Sequence, residues 1–475
     1  MKKLIFLALS FFMMLNSGVL AQDGYRMEFE IDNFSGEELY LGFYYGDKQY
    51  LKDTARINEA GKYVFEGEEK LPGGVYIVVM PPSNQIFQIL MDEDQQFSVK
   101  TDSLSSMETM QVTGSKENKL FYDYMQFLNA KRPVNQELQQ QKQAAAGDEQ
   151  KIAEIDATIE KLNKEVRSYQ LNLIEENPNS LAAALIKANI PVEFPDFEGT
   201  EEEQQEQKWR HMQNHYFDNI DLSDPRLART PFLFQRIDYY INSLTVQHPD
   251  TIAQAIDYIL EKAKPAEDTY KYYLIHFLNE YASSKVVGFD AVYVHLAENY
   301  YGKGMAPWTE QEALDKILDN AKTLKPLLIG KVAPDIQLEK RDGSKISLHD
   351  VDSEYTVLYF WRYDCGHCKK STPVMKEFYE KFKDRGVELM AVCVKFTDDI
   401  PECWKYIDEN EIGDWLHTVD TYLRSKYTSI YDVKTTPQMY ILNKDKEIIS
   451  KRIGAEQLEE VMDKIIEHNS KGDQP

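Results

Sequence analysis

Two cysteines, Cys365 and Cys368, stand just after the apolar run Val357–Trp361. A short continuous apolar run is typical of a strand that is buried on both faces. If a helix begins at the first cysteine, its first turn brings the two sulfurs within bonding reach. The unpaired N–H groups and the positive dipole end there favour the thiolate, which is the form that attacks disulfides. The segment therefore predicts a strand–dithiol–helix unit that carries out thiol–disulfide exchange.

The cysteines are few and clustered. There are four, and all lie between Cys365 and Cys403. A scaffold held together by disulfides would spread its cysteines along the chain, so this clustering indicates chemistry. Cys393 stands in an apolar segment and is predicted to be an inert buried thiol. A Cys393–Cys403 disulfide and a zinc site of Cys365, Cys368 and two further ligands remain as alternatives; otherwise no metal or cofactor is predicted.

The first residues predict export. Lys2 and Lys3 precede the apolar stretch Leu4–Leu15, and a small-residue cleavage site ends at Ala21, so residues 1–21 are interpreted as a signal peptide. An uncleaved anchor is the alternative. The stretch itself is too short to cross a bilayer, and no later segment is long and apolar enough to do so. The net charge of −25 argues against a nucleic-acid partner, which requires a basic surface.

Residues 22–115 predict a β-sandwich-like domain. Segments such as Met27–Ile31 alternate between apolar and polar residues, and turn residues separate them at short intervals. Short strands at that spacing indicate an antiparallel sandwich or a barrel-like sheet.

Residues 116–326 predict an α-helical domain. The apolar seam in its first part should pack an antiparallel helical hairpin, with Pro133 interrupting the first arm; dimerisation through this seam is the alternative. A later helix at residues 251–264 has Asp250 as its predicted N-cap. The seam consists of Ile152, Ile155, Ile159, Leu162 and Val166.

Residues 327–475 predict a mixed α/β domain, because buried strands alternate with helices before a final hairpin and helix. Val387–Val394 is a second buried strand, and a helix is predicted from Leu423 to Tyr431. The predicted fold class is thus multidomain: an antiparallel β domain, a helical domain and a C-terminal α/β domain.

Four segments of this last domain resemble the thioredoxin-like proteins of the bacterial cell envelope of the TlpA/ResA type, which redoxin and AhpC/TSA family models also match. The resemblance implies a thioredoxin-like fold for the last third of the chain and an envelope or periplasmic location in a Gram-negative bacterium. The segments are Gly330–Asp335, Tyr359–Trp361, Cys365–Cys368 and Thr435–Pro437.

The resemblance also implies roles. Cys365 would attack a disulfide, and Cys368 would resolve the mixed disulfide. Pro437 would follow a cis peptide bond beside the sulfurs, and the backbone of Thr436 would pair with a substrate strand. From its position between the cysteines, His367 should stabilise the Cys365 thiolate when it is protonated.

Two residues depart from the pattern of the classical thioredoxins. Tyr359 stands where they carry a buried carboxylate, so proton transfer to Cys368 must use another group or water. Asp364 stands where a tryptophan is more usual, and its charge disfavours a neighbouring thiolate.

The predicted function is that of an exported thiol–disulfide oxidoreductase that reduces or exchanges disulfides of envelope proteins. Its predicted partners are protein disulfides or dithiols, and the resemblance implies a membrane thiol-shuttling electron donor. One alternative is an envelope binding protein with an accessory redox domain. A thiol peroxidase is disfavoured, because Arg362 stands where those enzymes usually carry Thr or Ser. The sequence does not predict the substrate or the direction of electron flow.

Overall fold

The computed structural model describes residues 24–470, so the predicted signal peptide lies outside the described part of the chain. These residues form two compact units, of which the first ends at Tyr240 and the second begins at Ile241. Every helix within the described range is too short or too polar to span a lipid bilayer.

The first unit begins with strands that form a β-rich region. Its elements are β1 Tyr25–Asp32, β2 Glu38–Tyr45, β3 Lys48–Arg56, β4 Tyr63–Gly67, β5 Gly74–Met80, β6 Gln85–Met91, β7 Gln96–Asp102, α1 Ser106–Thr109 and β8 Gln111–Thr113. They build two four-stranded sheets, in the orders β4-β1-β7-β8 and β3-β2-β5-β6. Neighbouring strands of these sheets run antiparallel, except that β1 and β7 run parallel.

The side chains of β1 alternate between buried and less buried positions, as the period of two predicts. Phe29 from one sheet and Phe87 from the other share a core, with their ring centroids 5.9 Å apart. The β-rich beginning of the predicted fold is therefore confirmed.

Helices follow in the same unit: α2 Lys116–Ala144, α3 Glu149–Glu176, α4 Leu181–Ala188, α5 Glu201–His215 and α6 Leu233–Tyr239. Helices α2 and α3 form the predicted antiparallel hairpin, in which Lys131 pairs with Glu165 and Lys142 with Asp156. The predicted interruption at Pro133 is wrong, because α2 continues through it. A proline removes one backbone hydrogen bond from a helix, and the other bonds of this long helix, with its packing against α3, keep it continuous.

The second unit begins with α7 Pro249–Ala263, α8 Glu267–Ser283, α9 Asp290–Leu296 and α10 Gln311–Leu324. The N-cap of α7 is His248, not the predicted Asp250; the Asp250 N–H donates to His248 Nδ1 at 3.4 Å. Pro249 explains the difference, because proline suits the first helical position and places the cap one residue before it.

The rest of the second unit is an α/β domain. Its elements are β9 Gln337–Glu339, β10 Lys345–Ser347, β11 Tyr355–Trp361, α11 Gly366–Phe382, β12 Val387–Cys393, α12 Ile400–Glu409, β13 Leu416–Thr418, α13 Tyr427–Ile430, β14 Gln438–Asn443, β15 Ile448–Lys451 and α14 Ala455–Ser470. The main sheet has the order β13-β12-β11-β14-β15. Strands β11, β12 and β13 are parallel, and β14 and β15 are antiparallel to their neighbours.

All seven residues of β11 are buried, because core clusters cover both faces of the sheet. This burial explains the continuous apolar run in the sequence. The predicted helix from Leu423 to Tyr431 is shorter than expected, since α13 covers only Tyr427–Ile430. Leu423 and Lys426 have φ angles of 52° and 56°, which a right-handed helix does not accommodate.

A buried ion pair joins the α/β domain to the helices that precede it. Lys451 on β15 is 3% exposed and pairs with Asp290 at the start of α9, which is 11% exposed. The Lys451 ammonium also donates to the Leu327 carbonyl. Both charges are thus satisfied where the helical segment of the second unit meets the edge of the sheet.

Candidate active site

The two predicted redox cysteines lie at the carboxyl end of the central strand. Cys365 is the N-cap of α11, with extended backbone angles, and its Sγ accepts from the Cys368 N–H at 3.4 Å. Cys365 is partly exposed, whereas Cys368 is buried at 1% exposure. Both are free thiols in this structure. The predicted strand–dithiol–helix unit is present, with one sulfur facing outwards and one enclosed.

The surroundings of Cys365 favour its thiolate. Partial burial raises the pKa of this thiol, but hydrogen bonds from the Cys368 and His367 backbone and from the Thr436 side chain together outweigh burial, so its pKa falls below the ordinary value. The two backbone donors arise because the cysteine occupies the cap position, where helix N–H groups have no partner in the helix.

Cys368 has the opposite tendency. Burial raises its pKa to about 12, and hydrogen bonds from the Arg362 backbone and the Thr436 side chain lower it only in part. Cys368 therefore stays protonated at neutral pH while Cys365 provides the reactive thiolate, a division that suits an attacking and a resolving cysteine.

Alkylation should show this division directly. We expect iodoacetamide at neutral pH to label Cys365 in the native reduced chain and to leave Cys368 unlabelled, because only the thiolate reacts and Cys368 is also enclosed. The Cys365 labelling rate should rise with pH, with a midpoint below the ordinary thiol pKa of 9.0. Peptide mass spectrometry measures both, and equal labelling of the two cysteines would contradict the structure.

The Thr436–Pro437 peptide bond is cis, as predicted. The Cys365 thiol donates to the Thr436 carbonyl at 3.3 Å. The sheet thus brings together two motifs that are far apart in the sequence, because β14 lies directly beside β11.

Asp364, the residue before the first cysteine, is held between two cations. Arg362 contacts it through Nε and Nη2, both at 2.9 Å, and Lys395 Nζ lies 2.9 Å away. The hydrogen bond from Arg362 is the largest of several effects that hold the pKa of Asp364 far below its usual range. These cations offset the negative charge that the sequence analysis expected to oppose the thiolate.

His367 is exposed on the first turn of α11. Its backbone N–H is among the groups that lower the pKa of Cys365. The effect of its imidazole on the thiolate remains a prediction.

Cys393 is not the free thiol that the sequence analysis expected. It forms a disulfide with Cys403, and the two Cα atoms are 6.5 Å apart. The prediction failed because Cys393 ends β12 and Cys403 lies in the first turn of α12, two positions that only the tertiary fold brings together. The bond also takes two of the four thiolates away from the zinc alternative. Among residues 24–470, no group of three or more His, Cys, Asp or Glu side chains is placed to hold a metal ion.

The sequence analysis missed the loop that follows β12. Its Lys395 forms ion pairs with Asp364 and with Asp399, and Tyr363 Oη donates to Asp399 at 3.4 Å. Since the Cys393–Cys403 bond closes this loop, it fixes the residues that flank the dithiol. A lysine just beyond the carboxyl end of a parallel strand was the available signal, because such strand ends share one edge of the sheet.

Comparison with known proteins assigns three family models to the chain. The AhpC/TSA family matches residues 329–451, and two domains of unknown function, DUF4369 and DUF5106, match residues 25–121 and 148–323. A thiol-disulfide oxidoreductase ResA of Bacillus cereus is 32% identical over 140 residues, which make up 29% of this chain and 78% of that protein. The ResA of Oceanobacillus iheyensis is 29% identical over 124 residues, which make up 25% of this chain and 62% of that protein.

Solved structures resemble the chain as well. A domain of a possible thiol-disulfide isomerase from Cytophaga hutchinsonii is 34% identical, covers 31% of this chain and 98% of its own, and has a TM-score of 0.29. A thioredoxin-like protein from Bacteroides caccae is 18% identical, covers 57% of this chain and 96% of its own, and has a TM-score of 0.45.

Proposed function

The chain belongs, through its C-terminal domain, to the ResA-type thiol–disulfide oxidoreductases with a thioredoxin-like fold, and we propose that it reduces disulfides of envelope proteins through Cys365 and Cys368. The single observation that carries this proposal is the pairing of a partly exposed free thiol at the N-cap of α11 with an enclosed free thiol in its first turn. The enzymatic class is that of its relatives.

In the proposed reaction, the Cys365 thiolate attacks one sulfur of a substrate disulfide. A mixed disulfide forms, and the other substrate sulfur leaves and takes up a proton. Cys368 then loses its proton and attacks Cys365 Sγ, so that the Cys365–Cys368 disulfide forms and the second substrate thiol is released. The substrate gains two electrons from the two cysteines, one proton from Cys368 and one from solvent, which takes the place of the proton that Cys365 gave up when its thiolate formed.

Two neighbours support the proposed path. The Thr436 carbonyl oxygen lies 3.3 Å from Cys365 Sγ, and the peptide bond between Thr436 and Pro437 is cis. This backbone lies where an extended substrate segment would pass the sulfur, and we propose that Thr436 pairs with it and that Pro437 shapes that surface. His367 is proposed to add positive charge at the exposed edge of the dithiol site.

The location and the electron source are further parts of the proposal. The predicted signal peptide at residues 1–21 supports export to the envelope. An exported reductase must be re-reduced there, and a membrane thiol-shuttling protein is the proposed donor.

We also propose the domain limits 22–115, 116–326 and 327–475.

Trapping tests the proposal. A Cys368→Ser chain should accumulate a mixed disulfide with a protein that contains disulfides, such as insulin. Cys365 can still attack the substrate disulfide, but the second cysteine that would resolve the mixed disulfide is absent. Non-reducing gels measure the adduct, which should disappear on addition of dithiothreitol.

A Cys365→Ser/Cys368→Ser double variant is the control and should give no adduct. If Cys368→Ser also formed no adduct, Cys365 would not be the attacking group. The reduction potential of the pair against glutathione then sets the direction: a value near that of thioredoxin supports reduction, and one near that of DsbA supports oxidation instead.

A further inference from the structure

Tyr359 is a buried polar residue that the reaction above does not use. It lies in β11, is 1% exposed, and its hydroxyl has no hydrogen-bond partner within the described part of the chain. Most buried hydroxyls in proteins are paired, since leaving one unpaired is unfavourable. An unpaired hydroxyl in the middle of this sheet therefore calls for an explanation.

The Tyr359 ring lies on the face of the sheet that carries the dithiol. It shares a core cluster with Cys368, and its ring meets Trp415 edge-on with centroids 6.5 Å apart. Burial is the main cause of its raised pKa, and the next causes are Cys368, Tyr406 and Cys365. The Tyr359 side chain and the Cys368 thiol therefore share one buried cluster on the same face of the sheet.

The hydroxyl of Tyr406, another tyrosine of this region, does have a hydrogen-bond partner. Tyr406 Oη is hydrogen-bonded to Thr372 Oγ1 at 3.0 Å, and Thr372 in turn donates to the Cys368 carbonyl at 2.9 Å. The Tyr406 hydroxyl therefore has a hydrogen-bond partner, whereas the Tyr359 hydroxyl is an unpaired donor in the same core cluster as the enclosed thiol.

A further donor would favour the resolving step at Cys368. The resolving step places negative charge on a sulfur that is 1% exposed. The groups acting most strongly on this thiol are its own burial, the Arg362 backbone, Cys365 and the Thr436 side chain, and none of them is a carboxylate. A hydroxyl that donates towards the thiolate would stabilise the charge without adding a second one.

We propose that the Tyr359 hydroxyl, acting through one buried water, stabilises the negative charge on Cys368 during resolution of the mixed disulfide; this inference rests on the proposed function. The water accepts from Tyr359 and donates to the sulfur, an arrangement typical of waters that join buried polar groups. Tyr359 keeps its proton throughout. The Cys365–substrate bond breaks, the Cys365–Cys368 bond forms, and the Cys368 proton leaves with the released substrate thiol. Tyr359 is thus a positioning residue.

Ellman's reagent separates the two steps in the full-length chain. The first thionitrobenzoate is released when Cys365 attacks, and the second when Cys368 resolves the adduct. In Tyr359→Phe, which keeps the ring, we expect an unchanged first release and a second release slowed on the order of tenfold to a hundredfold. The difference in the rate of the second release between Tyr359→Phe and the native chain should shrink as pH rises, because Cys368 then ionises without help. The titratable or charged groups around Tyr359 and Cys368 are Cys365, Tyr406 and Arg362.

Tyr427→Phe is the matched control. Its hydroxyl is also buried and unpaired, but its ring stacks on Phe360 in the core of the opposite face of the sheet. Both releases should keep their native rates and pH profiles in this variant. An unchanged second release in Tyr359→Phe would overturn the role of Tyr359 and leave the proposed function intact, whereas the absence of any release from the native chain would overturn the proposed function itself.

Discussion

Replacing Cys365 with serine should slow the reduction of insulin by roughly a thousandfold or more, because a hydroxyl is far less ionised than this thiol and a poorer nucleophile towards sulfur. In the structure, Cys365 is the only one of the two free cysteines that combines exposure with a lowered pKa. The serine variant should still fold, since serine is itself a favourable N-cap residue and can keep the cap of α11. Turbidity of the released insulin chain measures the rate with dithiothreitol as the electron source.

A matched control leaves the dithiol in place and removes the other two cysteines. Cys393→Ala/Cys403→Ala should retain measurable reductase activity, though with less stability, because the bond that closes the loop beside Asp364 is lost. If Cys365→Ser kept half of the native rate, the attacking sulfur would have to be sought elsewhere.

The second large effect concerns stability. Asp290→Ala should destabilise the second unit by about 3–5 kcal/mol, because it leaves the Lys451 ammonium buried without its counter-charge. Asp290 and Lys451 are 11% and 3% exposed, so solvent screens the pair weakly. Replacing both partners, as in Asp290→Leu/Lys451→Met, should cost much less, since an apolar pair needs no compensation.

Urea unfolding followed by tryptophan fluorescence measures this effect. Trp308, Trp361, Trp404 and Trp415 all lie in the second unit, and only Trp209 lies in the first, so the signal reports mainly on the unit that contains the pair. The control is Glu312→Ala, which removes the partner of Lys316 from an exposed pair and should leave the unfolding midpoint unchanged. A midpoint for Asp290→Ala equal to that of Glu312→Ala would show that the buried pair contributes nothing.

Local patterns predicted much of the α/β domain. The apolar run around Val357 predicted the central strand, since a strand covered on both faces needs no polar residues. The dithiol was accessible from its place directly after that apolar run, whereas the cis bond before Pro437 was implied by the resemblance to the TlpA/ResA type. The interruption at Pro133 was overestimated, because a local rule for proline does not include the packing of a second helix.

Features that depend on contacts between distant segments were not predicted. Lys395 lies two residues beyond Cys393, a position that marks the edge of the sheet but does not show that its ammonium reaches Asp364. The pairing of Lys451 with Asp290 joins residues 161 positions apart. Buried charges of this kind are determined by which elements meet, and a hydrophobic pattern carries no information about that.

The sulfur of Cys365 has two tasks, because it caps α11 and also carries out the proposed chemistry. A sulfur bonded to another sulfur is a weaker acceptor than a thiolate, so each turnover weakens the contact that holds the Cys368 N–H. In the oxidised enzyme the covalent Cys365–Cys368 bond spans the same turn, so the start of α11 stays constrained in both redox states. We therefore expect the two redox forms to differ in the charge and hydrogen bonding of a single helical turn, while the sheet beneath it keeps its arrangement.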